Sequence, residues 1–259
     1  MPPGHVLATE DEPLTLMPEQ LWFTEILNRL FGAAVTGLLE RLGIHPHHAQ
    51  APISNSAAME ILVCLFLIIV FFVVRASLSV DRPGALQHAF EGVVGFIEQQ
   101  SHEIIGPHSE VHTPFLVALA LFILFCNLIG LIPGFESPTA VPIVPLGCAL
   151  VAFFYYQAQG FKHGGIKYLA HFAGPMPLLA PLMIPIELIS HLARVLSLTI
   201  RLFANMFAGD MVTLVFFSLV PLGVPIIFLG LHLGVSFLQT YIFVLLTTVY
   251  LAGAVAEEH

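Results

Sequence analysis

Long apolar runs alternate with short polar segments along most of the chain. A helix that crosses a bilayer needs about 20 mostly apolar residues, and the pattern predicts about five of them. They cover residues 57–74, 113–132, 143–161, 182–219 and 224–255. Thr113 is expected to cap the second helix, with Pro114 at its first position. The sequence therefore predicts an all-α, polytopic membrane protein.

The last two apolar runs are much longer than a bilayer is thick. At 1.5 Å per residue, residues 182–219 and 224–255 form helices of about 57 and 48 Å, against about 30 Å of hydrocarbon. Only a short turn at residues 221–225 separates them. We expect an antiparallel hairpin of two long, strongly tilted helices.

Two further stretches are amphipathic rather than uniformly apolar. In residues 21–44 the apolar side chains fall on one face of a helical wheel, with Trp22, a residue type typical of membrane interfaces, at the start. Residues 83–105 begin with a proline and mix apolar with acidic residues at helical spacing. We expect both stretches to be helices that lie along the membrane surface.

Basic residues in short loops predict the orientation, because such loops stay on the cytoplasmic side. Arg75 and Arg82 follow the first span and Lys162 and Lys167 follow the third, whereas the loops 133–142 and 221–225 contain no lysine or arginine. We predict an extracytoplasmic segment at 1–56, a membrane domain at 57–255 and a cytoplasmic C-terminus at 256–259.

Composition narrows the classes of protein that this chain can be. Hydrophobic residues make up 57% and charged residues 10%, and the mean hydropathy is +0.90, so an ordinary soluble domain is excluded. A net charge of −9, with 8 Lys+Arg against 17 Asp+Glu, argues against nucleic acid as a partner. The scattered Cys64, Cys126 and Cys148 are expected to be buried thiols, and no cofactor or metal site is predicted.

Residues 1–20 are acidic and lack a basic start followed by an apolar core. We therefore expect neither a cleavable signal peptide nor a transit peptide, and a bacterial plasma (inner) membrane rather than an organelle.

Ionisable and polar residues lie in the last two spans, where each charge costs about 2.5–3.5 kcal/mol to insert and is a functional candidate. They are Glu187, His191, Arg194, Arg201 and Asp210 in the fourth span, and His232 and Gln239 in the fifth. Arg201 is the most demanding of them, because a guanidinium stays charged at any relevant pH.

Arg201 needs an anion that its own helix does not supply. Nine residues turn a helix through about 900°, so Asp210 lies on the opposite face. The residue numbers of Arg201 and Gln239 add to nearly the same total as those of Asp210 and His232. In an antiparallel hairpin, the two members of each pair then lie at the same depth. The depths of the two pairs differ by about 13 Å along the helix.

The face of the helix that carries Arg201 is small and polar throughout. Its other members are Arg194, Ser197, Asn205 and Ala208. Such a face is poorly suited to lipid, so we infer that a partner subunit presents a carboxylate to Arg201.

Asp210 and His232 have two interpretations. A carboxylate and an imidazole at one depth can pass a proton through water, and a hydrogen-bonded pair can also simply tie two helices together. Glu187 lies about 21 Å from Arg201 along the helix and is either a proton acceptor on the cytoplasmic side or a surface group.

The residues of the last two spans resemble those of subunit a of the rotary F-type ATP synthase. The resemblance rests on ISHLARVLSLTIRLFANMFAGDMV and LHLGVSFLQTYIFVLLTTVYLAGAVAEEH, and extends upstream through FCNLIGLIPGFESPTA to about residue 80. It implies that Arg201 is the essential stator arginine, and that Asp210 and His232 belong to the proton access channel. Gln239 would face the arginine, Glu187 would lie on the cytoplasmic side, and Ser197, Asn205 and Asn127 would be small polar positions of the family.

The resemblance also implies a mechanism and partners. Protons would pass through two offset half-channels and drive a ring of c subunits, whose carboxylates face Arg201. The b-subunit peripheral stalk, the lipid bilayer and the rest of the synthase would be the other partners, and this chain itself would carry out no ATP chemistry. One motif departs from the family: SPTADLNVTL is common there, whereas Val141, Ile143 and Pro145 here replace its Asp, Asn and Thr.

Three competing classes of membrane protein fit less well. A haem-bearing subunit needs facing histidines within spans, but only His191 and His232 of the 13 histidines are deep. A metalloprotease needs H-E-x-x-H, and His102-Glu103 lacks the second histidine. A self-sufficient secondary transporter remains the alternative, although it is expected to show two halves of matching hydropathy.

Overall fold

The protein was analysed as a computed structural model that describes residues 21–41, 52–79, 84–107, 109–132, 134–165, 180–219 and 224–255. These residues form helices and connecting turns, and no strand occurs among them. The helices are α1 (Trp22–Arg41), α2 (Asn55–Ser77), α3 (Ala85–Ile105), α4 (Thr113–Ile129), α5 (Ile143–Gly164), α6 (Ala180–Leu219) and α7 (Val224–Val255), with 3₁₀ turns at Ser109–Val111 and Pro138–Ala140. The all-α prediction is confirmed.

The chain divides into two compact units, Met1–Ile53 and Ser54–His259. In the first unit, α1 covers most of the predicted amphipathic stretch 21–44, whose last three residues lie outside the described part. The side chain of Asn28 accepts a hydrogen bond from the backbone N–H of Ile53 (3.0 Å) and donates one to its carbonyl (3.1 Å). On the apolar face, Leu27 is buried while Ile26 and Leu30 are exposed.

Among the described residues of the second unit, four helices are long and apolar enough to cross a membrane. They are α2, α5, residues Pro181–Phe216 of α6 and residues Ile226–Val255 of α7. The remaining predicted span, α4, is an apolar helix of 17 residues. The helices begin and end within a few residues of the predicted bounds, and α6 reaches 40 residues. The turn expected at 221–225 and the C-terminal residues 256–259 fall largely or wholly outside the described residues.

The structure corrects both ends of α4. The helix ends at Ile129 rather than at Ile132, because Gly130 lies against Ser137: a Cβ atom at Gly130 would come within 2.7 Å of the Ser137 side chain. The Ser137 hydroxyl also donates a hydrogen bond to the carbonyl of Cys126 (3.1 Å), which satisfies an acceptor of the last turn. At the start, Thr113 is already helical and His112 takes the capping position, with no side-chain capping bond.

Two clusters of buried side chains hold the second unit together. The larger cluster joins α4, α5, α6 and α7 around Ile123, Ala149, Leu202 and Phe243, each 0% exposed. The smaller one joins α2, α3 and α4 and extends to Val244 of α7. Much of the remaining apolar surface is exposed, notably along α2 and α6, as expected of helices whose solvent is lipid.

The cysteines differ in their burial. Cys126 and Cys148 are buried, as expected, but Cys64 is exposed on α2. The expectation of a buried thiol is therefore wrong for Cys64, because it lies on a part of α2 that the neighbouring elements leave uncovered. All three thiols are free.

Candidate functional site

α6 and α7 pair in antiparallel fashion, and three side-chain contacts fix their register. The rings of Phe216 and Phe228 stack with centroids 4.2 Å apart. Further along the pair, Asp210 meets His232 and then Asn205 meets Gln239. Residue numbers rise on one helix as they fall on the other. The hairpin register inferred from the sequence therefore brings Asp210 and His232 together.

The two side chains of the Asp210–His232 pair differ in their exposure. Oδ1 of Asp210 is 3.6 Å from Nδ1 of His232, and their side chains are 28% and 3% exposed. The other ring nitrogen of His232, Nε2, is buried and has no hydrogen-bond partner among the described residues. One face of the pair is thus accessible and the other is enclosed in protein.

Gly209 makes this close approach of the two helices feasible. A Cβ atom at position 209 would lie 2.8 Å from Nδ1 of His232 and 3.1 Å from Cε1 of the same ring. Real Cβ atoms do not approach a ring so closely, so any side chain at this position must displace the imidazole. The sequence offered no signal for this role, because the spacing of α6 and α7 is a tertiary property.

Gln239 has a different partner from the one inferred from residue numbers. Its Oε1 accepts a 2.7 Å hydrogen bond from Nδ2 of Asn205, which lies one turn along α6 from Arg201. Arg201 instead donates from Nη2 to the hydroxyl of Ser197 at 3.4 Å. The physical reason is that equal depth does not fix direction: the Arg201 side chain extends along its own helix rather than across the hairpin.

Arg201 makes no ion pair with any carboxylate in the part of the chain that the structure describes; the ion pairs found there involve other residues. Taken as a whole residue, Arg201 is half-buried. The surrounding positions on α6 are small or polar and open to the outside: Ser197, Ala204, Asn205 and Ala208 are all exposed. The cation therefore lies on an open face, with no paired carboxylate among the described residues.

A network of buried polar side chains joins α7 to α4. Asn127 is 0% exposed, and its Oδ1 accepts a 2.6 Å hydrogen bond from the hydroxyl of Thr139. Its Nδ2 donates to the Thr240 hydroxyl (3.3 Å) and the Ser236 carbonyl (3.4 Å). The network connects α4 and the second 3₁₀ turn to Ser236 and Thr240 of α7, on either side of Gln239 along the chain.

A charged cluster surrounds Glu187 near the start of α6. Its Oε1 is 3.4 Å from Nε2 of His191 and 4.0 Å from Nη2 of Arg194. Nδ1 of His191 lies 3.5 Å from the hydroxyl of Tyr156 on α5, and the Arg194 guanidinium lies 5.3 Å from the ring centre of Tyr250 on α7. From the sequence, His191 was one of the ionisable candidates in the fourth span but received no role; its spacing of four residues from Glu187 was the available signal for their contact.

Glu60 is a carboxylate within a predicted span that was not singled out from the sequence. It is half-buried in α2 and, with Ser54 and Ser56, lines a cavity of about 640 Å³ between α2, α4 and α5. A single acid inside the apolar run 57–74 was the available signal.

At the positions where the family motif differs, Val141 and Ile143 are exposed and Pro145 is buried.

Comparison with known proteins identifies the family. The family model of the ATP synthase A chain matches residues 57–252. The chain is 56% identical to ATP synthase subunit a of Koribacter versatilis over 244 residues, which covers 94% of this chain and 100% of that protein. The chain belongs to the ATP synthase subunit a family.

Other relatives give the same result. Over 229 residues the chain is 56% identical to ATP synthase subunit a of Solibacter usitatus, covering 88% of this chain and 96% of the relative. Over 203 residues it is 41% identical to the protein of that name from Sulfurihydrogenibium sp., covering 78% and 97%. Family membership and the apolar helices make the chain a multi-pass membrane subunit of an ATP synthase complex, as its motifs predicted.

Proposed function

We propose that this chain is the stator proton-channel subunit of an F-type ATP synthase, and that Arg201 couples proton flow to rotation of a ring of c subunits. The observation that carries the proposal is Arg201 itself: a permanent cation on an open face of α6, with no carboxylate paired to it within the described residues. An intramembrane guanidinium cannot deprotonate to reduce its cost, so it needs an anion from another chain.

A carboxylate on each c subunit meets that need. Close to Arg201 it is favoured in its ionised form, because an opposite charge within a few ångströms stabilises the anion. Away from Arg201 it must take up a proton in order to face lipid. The fixed cation also repels a free proton and so blocks direct leakage between the two sides.

The two half-channels are proposed to lie on either side of Arg201 along α6. The Asp210–His232 pair, with its 3.6 Å separation, is the entry side, and the Glu187 cluster is the exit side. Glu187 and Asp210 lie about 21 and 13 Å from Arg201 along the helix in opposite directions, which separates entry from exit. Gln239 and Asn205 support the polar surface between them.

The proposed orientation rests on the charge pattern, and the remaining partners are proposed from family membership. Arg75 and Lys162, at the ends of α2 and α5, are proposed to face the cytoplasm, with the N-terminal segment 1–56 outside and residues 256–259 inside. The membrane is proposed to be a bacterial plasma membrane, and the b-subunit peripheral stalk to hold this chain against the ring. Family membership argues against the self-sufficient transporter.

Replacement of Arg201 by lysine tests the proposal. The complex carrying Arg201→Lys is reconstituted into vesicles, and ATP synthesis is measured under an imposed pH gradient. We expect loss of synthesis although the charge type is kept, because an ammonium is a compact point charge that loses its proton when it is desolvated.

Arg29→Lys is the matched control, since Arg29 is an exposed arginine on α1 that pairs with Glu25. It is expected to leave synthesis unchanged. Near-normal synthesis by Arg201→Lys, or purification of the chain without a ring of small proteolipids, contradicts the proposal.

A further inference from the structure

His191 lies buried between two helices and contacts a polar group on each side. Its side chain is 7% exposed, and the exposed fraction of the Glu187 side chain is 31%. Nε2 faces Glu187 at 3.4 Å and Nδ1 faces the Tyr156 hydroxyl at 3.5 Å. Tyr156 is itself 2% exposed. Both ring nitrogens thus have polar neighbours on opposite edges of the imidazole.

We propose that His191 is a positioning residue of the proton exit path: it donates a hydrogen bond from Nε2–H to the Glu187 carboxylate, in a tautomer held by Tyr156. The inference rests on the proposed function, because it deepens the role given there to Glu187. It adds two residues, His191 and Tyr156, that neither the sequence motifs nor the family comparison assigns.

The chemistry of a neutral imidazole supports this arrangement. One ring nitrogen is a donor and the other an acceptor, and the group bonded to one of them decides which is which. A tyrosine hydroxyl that donates to Nδ1 leaves the proton on Nε2, where Glu187 accepts it. A histidine fixed in this way acts on the carboxylate without itself gaining or losing a proton.

A cationic group, Arg194, also approaches the Glu187 carboxylate. Arg194, three residues further along α6, approaches the same Oε1 atom of Glu187 at 4.0 Å. The ring of Tyr250, which lies 5.3 Å from the Arg194 guanidinium, supports it from α7. Among the described residues, the titratable or charged groups that contact or adjoin His191 are Glu187 and Arg194 on α6, Tyr156 on α5 and Tyr250 on α7. The Nε2 edge of His191 and the Arg194 cation therefore both face the same carboxylate oxygen of Glu187.

Packing on α5 holds the ring in place independently of these hydrogen bonds. The ring of Phe153 approaches His191 edge-on, with centroids 6.0 Å apart, and the Tyr156 ring is stacked at 6.3 Å. These contacts provide a control, because a change at Phe153 alters packing without removing any polar partner of the imidazole.

The test measures proton conduction through the assembled, reconstituted synthase as a function of pH on the side that Glu187 faces. Loss of a hydrogen-bond donor to a carboxylate favours the protonated form of that carboxylate. His191→Leu is therefore expected to move the midpoint of the pH profile about one unit towards alkaline pH, and to lower conduction at neutral pH about tenfold.

His191→Gln restores an N–H donor without a titrating ring and is expected to recover most of the conduction. Tyr156→Phe removes only the hydroxyl and is expected to shift the midpoint in the same direction as His191→Leu. Phe153→Leu is expected to leave the midpoint in place.

Three results overturn the inference. They are an unmoved midpoint in His191→Leu, a glutamine variant as defective as the leucine variant, and a further loss when His191→Leu is added to Glu187→Gln, where no carboxylate remains to be positioned. Arg201→Ala is measured alongside: if it still synthesises ATP, the proposed function fails, whatever the His191 variants show.

Discussion

Nδ2 of Asn205 donates a 2.7 Å hydrogen bond to Oε1 of Gln239 and so joins α6 to α7 one turn from Arg201. The Gln239 side chain is 1% exposed and its Nε2 has no partner among the described residues. The acceptor atom of this amide is therefore committed to Asn205. Among the described residues, the Arg201 guanidinium instead donates to the Ser197 hydroxyl.

The Asn205–Gln239 bond predicts energetic coupling between the two helices. Gln239→Leu leaves the Asn205 amide without its acceptor, and Asn205→Leu removes the donor, so the double variant is expected to lose less stability than the two single losses added together. The coupling free energy is expected to be about 1 kcal/mol. It is measured by SDS titration of the purified membrane sector. Asn205→Leu combined with Leu238→Ala, a change at an exposed position of α7, is expected to be additive.

The Asp210–His232 pair is predicted to work as one unit in proton entry. Each of Asp210→Ala and His232→Ala is expected to slow passive proton conduction, since their atoms are 3.6 Å apart and either change removes the same contact. The double variant is expected to cost much less than the sum of the two free-energy losses. Conduction is measured in vesicles with the catalytic sector removed. Strict additivity would show that the two side chains are independent sites.

Gly209 is predicted to be required for the position of the His232 ring. Gly209→Ala places a Cβ 2.8 Å from Nδ1 and is expected to lower proton conduction about tenfold, because displacement of a reacting group by about 1 Å costs as much or more. Gly230→Ala, on the same helix as His232 but with no atom within 4 Å of the added Cβ, is the matched control. Equal conduction in the two variants would contradict the prediction.

His112, just before α4, is predicted to make stability depend on pH. The residue is 2% exposed and its Nδ1 lies 3.0 Å from the Tyr155 hydroxyl. Burial lowers the pKa of His112 from its ordinary 6.5, and the nearby His163 and Lys162 lower it further. The neutral ring is therefore favoured in the folded state. The contribution of the neutral ring to the free energy of unfolding is therefore fully present above pH 6.5. It is lost as the pH falls below 6.5 and through the lowered pKa of His112 in the folded state.

Thermal unfolding of the purified complex between about pH 7.5 and pH 5 measures this effect. The melting temperature of the wild type is expected to fall with pH more steeply than that of His112→Gln, which keeps a polar side chain without titrating. His88→Gln, at an exposed position of α3, is the control and is expected to follow the wild type. A profile for His112→Gln as steep as that of the wild type would assign the pH dependence to other groups.

Hydropathy and residue spacing determined the helices and the pairing of the last two. The spans are set by the length of apolar runs, which is a local property, and α6 and α7 are close to the predicted residues for that reason. Asp210 and His232 could be paired from residue numbers alone, because an antiparallel hairpin with a short turn leaves little freedom of register. The end of α4 could not be predicted, since it depends on the contact between Gly130 and Ser137 across a loop.

Side-chain direction was decided only by the tertiary structure. Residue numbers place Arg201, Asn205 and Gln239 within a turn of one another, but the choice of Asn205 as the partner of Gln239 depends on rotamers and on helix spacing. The Asn127–Thr139 bond and the His191–Tyr156 contact likewise join residues 12 and 35 positions apart. A sequence pattern records the face of a helix on which a side chain lies. The neighbour that it meets depends on how several helices pack at once, and this packing selects the polar contacts of the site.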